Sequence, residues 1–358
     1  MSVRATIRGT HTFDEILSQP RCWRECFRAL AGQIPAVREK FDAPAEALFV
    51  GCGSSHYIAQ AAASGWTHLT RSEARAVPAS ELLLFPELVL SNEHARRPIL
   101  ISRSGHTSEI LKAAQFLELE RNIRTLAVSC DAHQPLKEIS TDSLILAAAD
   151  EQSMVMTRSF TSMLLGLELL AASVAERTAD SESLMRLADR TEPLIEGLRA
   201  RVEEFVASHD FADYVFLAQG PFYGVASESM LKVKEMSCSY AQCFHTLEFR
   251  HGPRAIVGPE TLVTFFLSET GWEAETEVLE EVKGLGAVTF VVANRADAAV
   301  RRAADFLVVW ELDLPEFIRP AAYVVAGQLL GFYTGIKKGL DPDQPRNLSR
   351  VVILNDKV

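Results

Sequence analysis

A chain of 358 residues is long for one hydrophobic core and comfortable for two lobes, and 48% hydrophobic with 23% charged residues marks it as globular. Its formal charge of −11 argues against nonspecific nucleic-acid binding, which draws on clustered lysine and arginine. Six scattered cysteines (Cys22, Cys26, Cys52, Cys130, Cys238 and Cys243) form no Cys-x-x-Cys pair and no histidine cluster has zinc spacing, so reduced thiols, a cytoplasmic setting and no structural metal are expected.

The first residues, Met1-Ser-Val-Arg4, open no apolar leader, and no secretory signal is expected. Thr12-Phe-Asp-Glu15 has the form of a capping box at the start of an N-terminal helical segment over 1–30, with Pro20 breaking or kinking it. Short apolar runs then alternate with helical periods at 47–50, 99–101, 125–128 and 143–146. Runs so short and so apolar suit a parallel sheet covered on both faces. A second set, at 214–218, 262–267, 288–293 and 306–309, follows the first by about 165 residues, close to the size of one domain. Two similar α/β lobes are therefore expected, over 31–178 and 190–340. A mostly charged helical stretch at 180–210 lies between them, with the boundary near 178–183. Residues 321–336 are apolar but carry Gln328 and Thr334 and are too short to span a membrane, which predicts a buried helix. The tail, 341–358, begins with turn-formers and ends in an apolar run at 351–354.

Gly51-Cys-Gly53-Ser-Ser-His56 follows a strand and opens a helix. A dinucleotide fingerprint would need glycine where His56 stands, which counts against a nicotinamide dehydrogenase. What remains is either a plain tight turn or a glycine turn offering N–H groups and two hydroxyls to an anion. Ser102-Arg-Ser104-Gly105-His-Thr107-Ser108 forms a second loop at the same strand edge, where ligands of parallel sheets bind. Ser102, Ser104 and Thr107 supply neutral donors for a phosphate, and one of them serves equally as an ordinary helix cap. Arg103 adds charge there or points to solvent. The hydroxyls of Thr157-Arg-Ser-Phe-Thr161 either join the cradle or simply start a helix.

Lys232 and Glu235 share one face of a largely apolar helix over 224–240, as a surface ion pair or as a carboxylate poised to carry a proton. Glu248-Phe-Arg-His251-Gly-Pro253 holds an imidazole in a rigid turn, as a loop cap or as a general acid or base.

In order, Gly-Cys-Gly-Ser-Ser, Ser-Arg-Ser-Gly-x-Thr, Leu-Lys-Val-Lys-Glu, Glu-Phe-Arg-His-Gly-Pro and Asp-Gln-Pro-Arg-Asn-Leu resemble the motifs of the tandem SIS (sugar isomerase) family. The likeness runs from roughly residue 25 to the end. It is to the isomerase half of glucosamine-6-phosphate synthases and to amino-sugar-phosphate deaminase/isomerases. The resemblance implies two flavodoxin-like lobes, each a five-stranded parallel sheet flanked by helices. It implies a tail closing on the active site, and a homodimer with active sites at the interface. It casts Ser102, Arg103, Ser104 and Thr107 as the phosphate loop and Cys52, Gly53, Ser54 and Ser55 as the turn beside the sugar. Met156, Glu248 and Arg350 join the substrate-binding set. Glu235 becomes the carboxylate that moves a proton between C1 and C2, with Lys232 one helical turn before it. His251 becomes the ring-opening histidine of the partner subunit.

Four departures shape the expected function. No cysteine follows Met1, so the glutaminase part of the synthase is expected to be missing. Arg350 stands where the synthase has a Schiff-base lysine, and guanidinium is no nucleophile; Lys357 is nearby but out of register. Met156 replaces a small hydroxyl residue, and Arg103 replaces a glutamine. The expectation is a sugar-phosphate isomerase or isomerising deaminase acting on an amino-hexose 6-phosphate such as glucosamine 6-phosphate, without glutamine-dependent amidotransfer. It would need no cofactor and engage neither nucleic acid nor membrane. The alternatives are a non-catalytic sugar-phosphate sensor and an ammonia-using synthase.

Overall fold

The computed structural model describes residues 8–40, 46–90 and 96–354. Met1 and Lys357, on which two of the departures rest, lie outside the described residues. The first lobe is a sheet of β1 (Glu46–Gly51), β2 (Ala74–Pro78), β3 (Arg96–Ile101), β4 (Leu126–Ser129) and β5 (Asp142–Ile145), in the order β2-β1-β3-β4-β5. The second is built from β6 (Asp213–Ala218), β7 (Tyr240–His245), β8 (Thr261–Phe266), β9 (Val288–Ala293) and β10 (Phe306–Val309), in the order β10-β9-β8-β6-β7. Every pairing is parallel. Read from β7, the second order is the first repeated. Both sheets reverse direction of build beside their first strand, the crevice where α/β folds bind ligands.

Central strands are buried on both faces: Leu48 and Phe49, neighbours in β1, are both fully buried. That is why their sequences read as unbroken apolar runs. Edge strands β2 and β7 carry Arg75, Tyr240 and Gln242 and escape that pattern. A single helix, Thr178–Ser208, joins the lobes and runs through the expected boundary near 178–183.

The lobes are packed by small residues. A Cβ at Gly224, in helix Tyr223–Ser237, would lie 2.6 Å from the carbonyl oxygen of Tyr57 in helix Ser54–Thr70. A Cβ at Gly331, in helix Pro320–Lys337, would lie 2.9 Å from the Lys232 carbonyl oxygen. Helix Tyr223–Ser237 is thereby clamped between a first-lobe helix and the apolar helix Pro320–Lys337, and Ser227, Glu228, Ser229 and Lys232 are forced into the interior. Among the described residues, no helix is long and apolar enough to cross a membrane.

The expected capping box at 12–15 does not form. Helix Thr10–Leu17 starts at Gly9, in a left-handed conformation, and Thr12 lies inside it. Its free N–H groups are met from the far end of the chain. Gly9 N–H donates to Asp341 at 2.8 Å, and His11 and Thr12 N–H donate to Asp343 at 3.0 and 2.8 Å. Carboxylates at a helix N-terminus also answer its dipole. Pro20 falls in the first turn of the next helix, Gln19–Arg38, where its missing N–H costs nothing.

Candidate active site

The turn after β1 is dictated by two glycines. A Cβ on Gly51 would sit 2.4 Å from the Ser55 backbone, and Gly53 has φ 55° and ψ −126°, a region closed to side chains. The turn delivers Ser54 and Ser55, both buried, to the start of helix Ser54–Thr70. Cys52 beside them is half-buried; burial, with the Glu109 carboxylate, pushes its thiol up to about 12, so it stays neutral.

The loop after β3 folds around its own hydroxyls. Ser102 Oγ accepts from Gly105 N–H at 3.1 Å and lies 3.3 Å from Thr107 Oγ1. Ser104 Oγ accepts from His106 N–H at 3.2 Å. Gly105 has φ 65°, and a Cβ there would collide with Gln134 Oε1 at 2.0 Å. Thr107 caps helix Ser108–Gln115 without using its side chain. Because β1 and β3 are adjacent, this loop and the Gly51–Ser55 turn share one edge of the sheet.

From the second lobe comes a buried charge cluster. Lys232 is fully buried, with its Nζ 3.1 Å from Glu228 Oε1 and in contact with Glu235 Oε2. Ser54 Oγ donates to Glu228 Oε1 at 3.0 Å and accepts from Lys232 Nζ at 3.4 Å. The pair is therefore no surface ion pair. Burial depresses the lysine, but the carboxylates of Glu228 and Glu235 outweigh it and the net direction is up, so the ammonium persists. Burial pushes Glu228 up to about 7, against the pull of Lys232. Glu235 is the partly exposed end of the cluster and opens into a cleft of about 240 Å³ lined by Arg8, Met236, Cys238 and residues 339–341 and 344–346.

Three candidate residues differ from expectation. The Arg103 guanidinium turns away from the hydroxyls into the protein. Its Nη1 lies 3.1 Å from Glu151 Oε2 and donates also to the Val155 carbonyl at 3.3 Å; its Nη2 donates to the carbonyls of Met154 at 2.8 Å and Arg350 at 3.3 Å. A buried carboxylate draws it more strongly than the loop's neutral groups. Met156 is packed in the hydrophobic core. The Arg350 side chain pairs with Asp150 at 2.6 Å, both half-exposed. The hydroxyls at 157–161 are likewise spent internally: Thr157 and Ser159 donate to Glu151, and Thr161 to Gln19. The tail does meet the loop. Ser108 N–H donates to the Val352 carbonyl at 3.2 Å, and Ser108 Oγ accepts from Leu354 N–H at 3.0 Å.

Residues 42–173 match the model of the SIS domain. The chain carries a SIS domain. The solved glucosamine-6-phosphate deaminase of Thermotoga maritima is similar at 29% identity and a TM-score of 0.78, over 96% of this chain and 100% of that one. The tagatose-6-phosphate ketose/aldose isomerase of Escherichia coli shares the fold, with a TM-score of 0.81 at 24% identity over 98% of each chain. A glutamine–fructose-6-phosphate aminotransferase of Haemophilus ducreyi is 29% identical over 85% of this chain and 51% of its own length. The chain spans about half the length of the curated relatives it matches.

Glu248 and His251 stand apart from the other candidates. Glu248 opens the short 3₁₀ turn Glu248–Arg250 after β7 and His251 follows it, both exposed, with His251 N–H bonded to the Glu248 carbonyl at 3.0 Å. Among the described residues, no hydrogen bond or ion pair links either side chain to Lys232 or Glu235. Glu228 is the residue that sequence reasoning missed. It lies four before Lys232 in an apolar helix, and that i, i+4 spacing was a usable signal.

Glu228 leaves a mark on stability. It holds its proton more tightly folded than unfolded, because its carboxyl rises from 4.5 to about 7 on burial. Its contribution to stability is therefore fullest below about 4.5, falls as pH rises to about 7, and then levels. Glu228→Gln should flatten the melting temperature against pH between 5 and 7. An unchanged slope in that variant would show that the proton resides elsewhere.

Proposed function

We propose that this chain is a sugar-phosphate isomerase or isomerising deaminase acting on an amino-hexose 6-phosphate such as glucosamine 6-phosphate, without glutamine-dependent amidotransfer. The observation that carries this reading is the Ser54 hydroxyl, which ties the glycine turn of the first lobe to the buried Glu228–Lys232–Glu235 cluster of the second. A phosphate gripped by Ser102, Ser104 and Thr107 would anchor one end of an open-chain sugar. Glu235, the cluster member that reaches a cleft, would then work on the far carbons.

The chemistry balances with these groups. Glu235 takes the proton from C2 of the open-chain aldehyde, the electrons move to the C1 oxygen as an enediol-type intermediate forms, and that oxygen gains the proton which the hydroxyl or amino group on C2 gives up. The same carboxyl returns a proton to C1. With an amino group on C2 the product is an imine, which water hydrolyses to ketose and ammonia. Lys232, held as an ammonium between two carboxylates, keeps Glu235 in one pose and balances charge in a dry pocket. His251 would open the sugar ring from the partner subunit of a homodimer; its exposure on its own chain suits that role. The likeness to the T. maritima deaminase supports deamination. Arg350 at the position of the synthase lysine, with its guanidinium on Asp150, speaks against Schiff-base capture of the ketose.

Purified protein incubated with glucosamine 6-phosphate tests the proposal through released ammonia and ketose. Both together are the expected result. Ketose without ammonia from a hexose phosphate means plain isomerisation. Neither, across a panel of sugar phosphates that nonetheless bind, would leave a sensor and overturn the enzyme.

A further inference from the structure

The shared strand order puts β6 and β8 where β1 and β3 stand. The loop after β8 then repeats the loop after β3: Ser268-Glu-Thr270-Gly271 answers Ser102-Arg-Ser104-Gly105. The likeness is geometric as well. Gly271 N–H donates to Ser268 Oγ at 2.9 Å, as Gly105 N–H donates to Ser102 Oγ at 3.1 Å. Each loop lifts N–H and O–H donors to the carboxyl edge of a parallel sheet, an arrangement suited to an oxyanion.

What the donors face is different. In the second lobe Glu316 accepts from Glu269 N–H, from Thr270 N–H at 3.3 Å and from Thr270 Oγ1 at 2.6 Å. Glu275 accepts from Ser268 N–H at 2.8 Å and from Ser268 Oγ at 2.9 Å. The chain's own carboxylates thus sit where the first lobe leaves its hydroxyls to each other and to the backbone. The charge beside the loop is inverted too: Glu269 pairs with Arg319 at 3.0 Å, where Arg103 pairs with Glu151. A cavity of about 730 Å³ opens alongside, and His68, Arg71, Gln219 and Thr270 are part of its wall. Among the described residues, the Arg71 guanidinium has no ion pair, and the buried Gln219 Oε1 has no hydrogen-bond partner.

We propose that the loop at 268–271 is a second oxyanion cradle whose ligand position is held by the Glu316 carboxylate, so that this chain takes one phosphate monoester and not two. The count of one rests on the reading of the first loop as a phosphate site. Glu316 occupies the donors from within the same chain and repels a second anion by its charge. Without it, the Thr270 donors face a cavity whose wall holds Arg71 and His68, with the Glu275 carboxylate kept on Ser268 beside them.

Equilibrium dialysis of the full chain against inorganic phosphate, with melting temperature followed in parallel, tests this. Wild type should bind one phosphate per chain, Glu316→Ala two, Ser104→Ala/Thr107→Ala none, and the triple variant one. Adding Thr270→Ala to the triple variant should return it to none. An unchanged stoichiometry in Glu316→Ala, or two phosphates already on wild type, overturns the proposal. None on wild type with one on Glu316→Ala leaves it standing and overturns the first-lobe phosphate site instead. Should Glu316→Ala lose its fold, Glu316→Ser, which removes the charge and is too short to reach the loop donors, is read in the same way.

Discussion

Glu235→Gln should cut turnover of the aminated sugar phosphate by about 10²–10⁴-fold while phosphate-anchored binding changes only a few-fold. The substitution keeps the volume and one accepting oxygen, so the pocket keeps its shape. Lys232 keeps Glu228 at 3.1 Å as a partner, and above about pH 7, where Glu228 is ionised, its charge remains compensated. What disappears is the only basic atom of the cluster that reaches the 240 Å³ cleft. Glutamine cannot accept a carbon-bound proton, so the loss falls on kcat and not on KM. Glu228→Gln is the matched control, because Glu228 is sealed from the cleft and should lose far less. A kcat within tenfold of wild type in Glu235→Gln would remove Glu235 from the chemistry and with it the proposed reaction.

The parts of this fold that were legible are those in which one residue's neighbours along the chain decide its environment. The run at 288–293 coincides with β9, because a strand buried on both faces admits little but apolar residues; the run at 306–309 coincides with β10, an edge strand whose Phe306 and Val308 are buried while Leu307 and Val309 are half-buried. The hydroxyl loop was legible for a related reason. Ser102, Gly105 and Thr107 make their turn by bonding to one another, and those residue types have few other uses at a strand end. Distant partners were not legible. The cap of helix Thr10–Leu17 is supplied from Asp341 and Asp343, and nothing near Thr12 encodes it. The burial of Lys232 depends on glycines a hundred residues downstream, so local spacing alone could not tell a surface ion pair from an interior one. Arg103 is the sharpest case. Its place between two loop serines suggests phosphate, yet its direction is decided by a carboxylate at position 151.

That direction makes Arg103→Met a test of architecture. Arg103 is 5% exposed and Glu151 2% exposed. Removing one partner of such a pair strands the other charge in the interior, at a cost of about 3–5 kcal/mol. Glu151 keeps the donors of Thr157 and Ser159, which puts the expected loss toward the lower end. The guanidinium also stitches the carbonyls of residues 153–155 to the loop and reaches the Arg350 carbonyl, so the tail at 350–354 loosens with it. A melting curve should show the loss directly, while KM for the sugar phosphate, measured below the new transition, stays within a few-fold. Direct phosphate contact would give the opposite pair of results: near-normal stability and a KM raised tenfold or more, with weakened salt dependence. Arg103→Met/Glu151→Gln separates the two further. With no charge left to strand, it should recover part of the lost stability, which a phosphate-contact role gives no reason to expect.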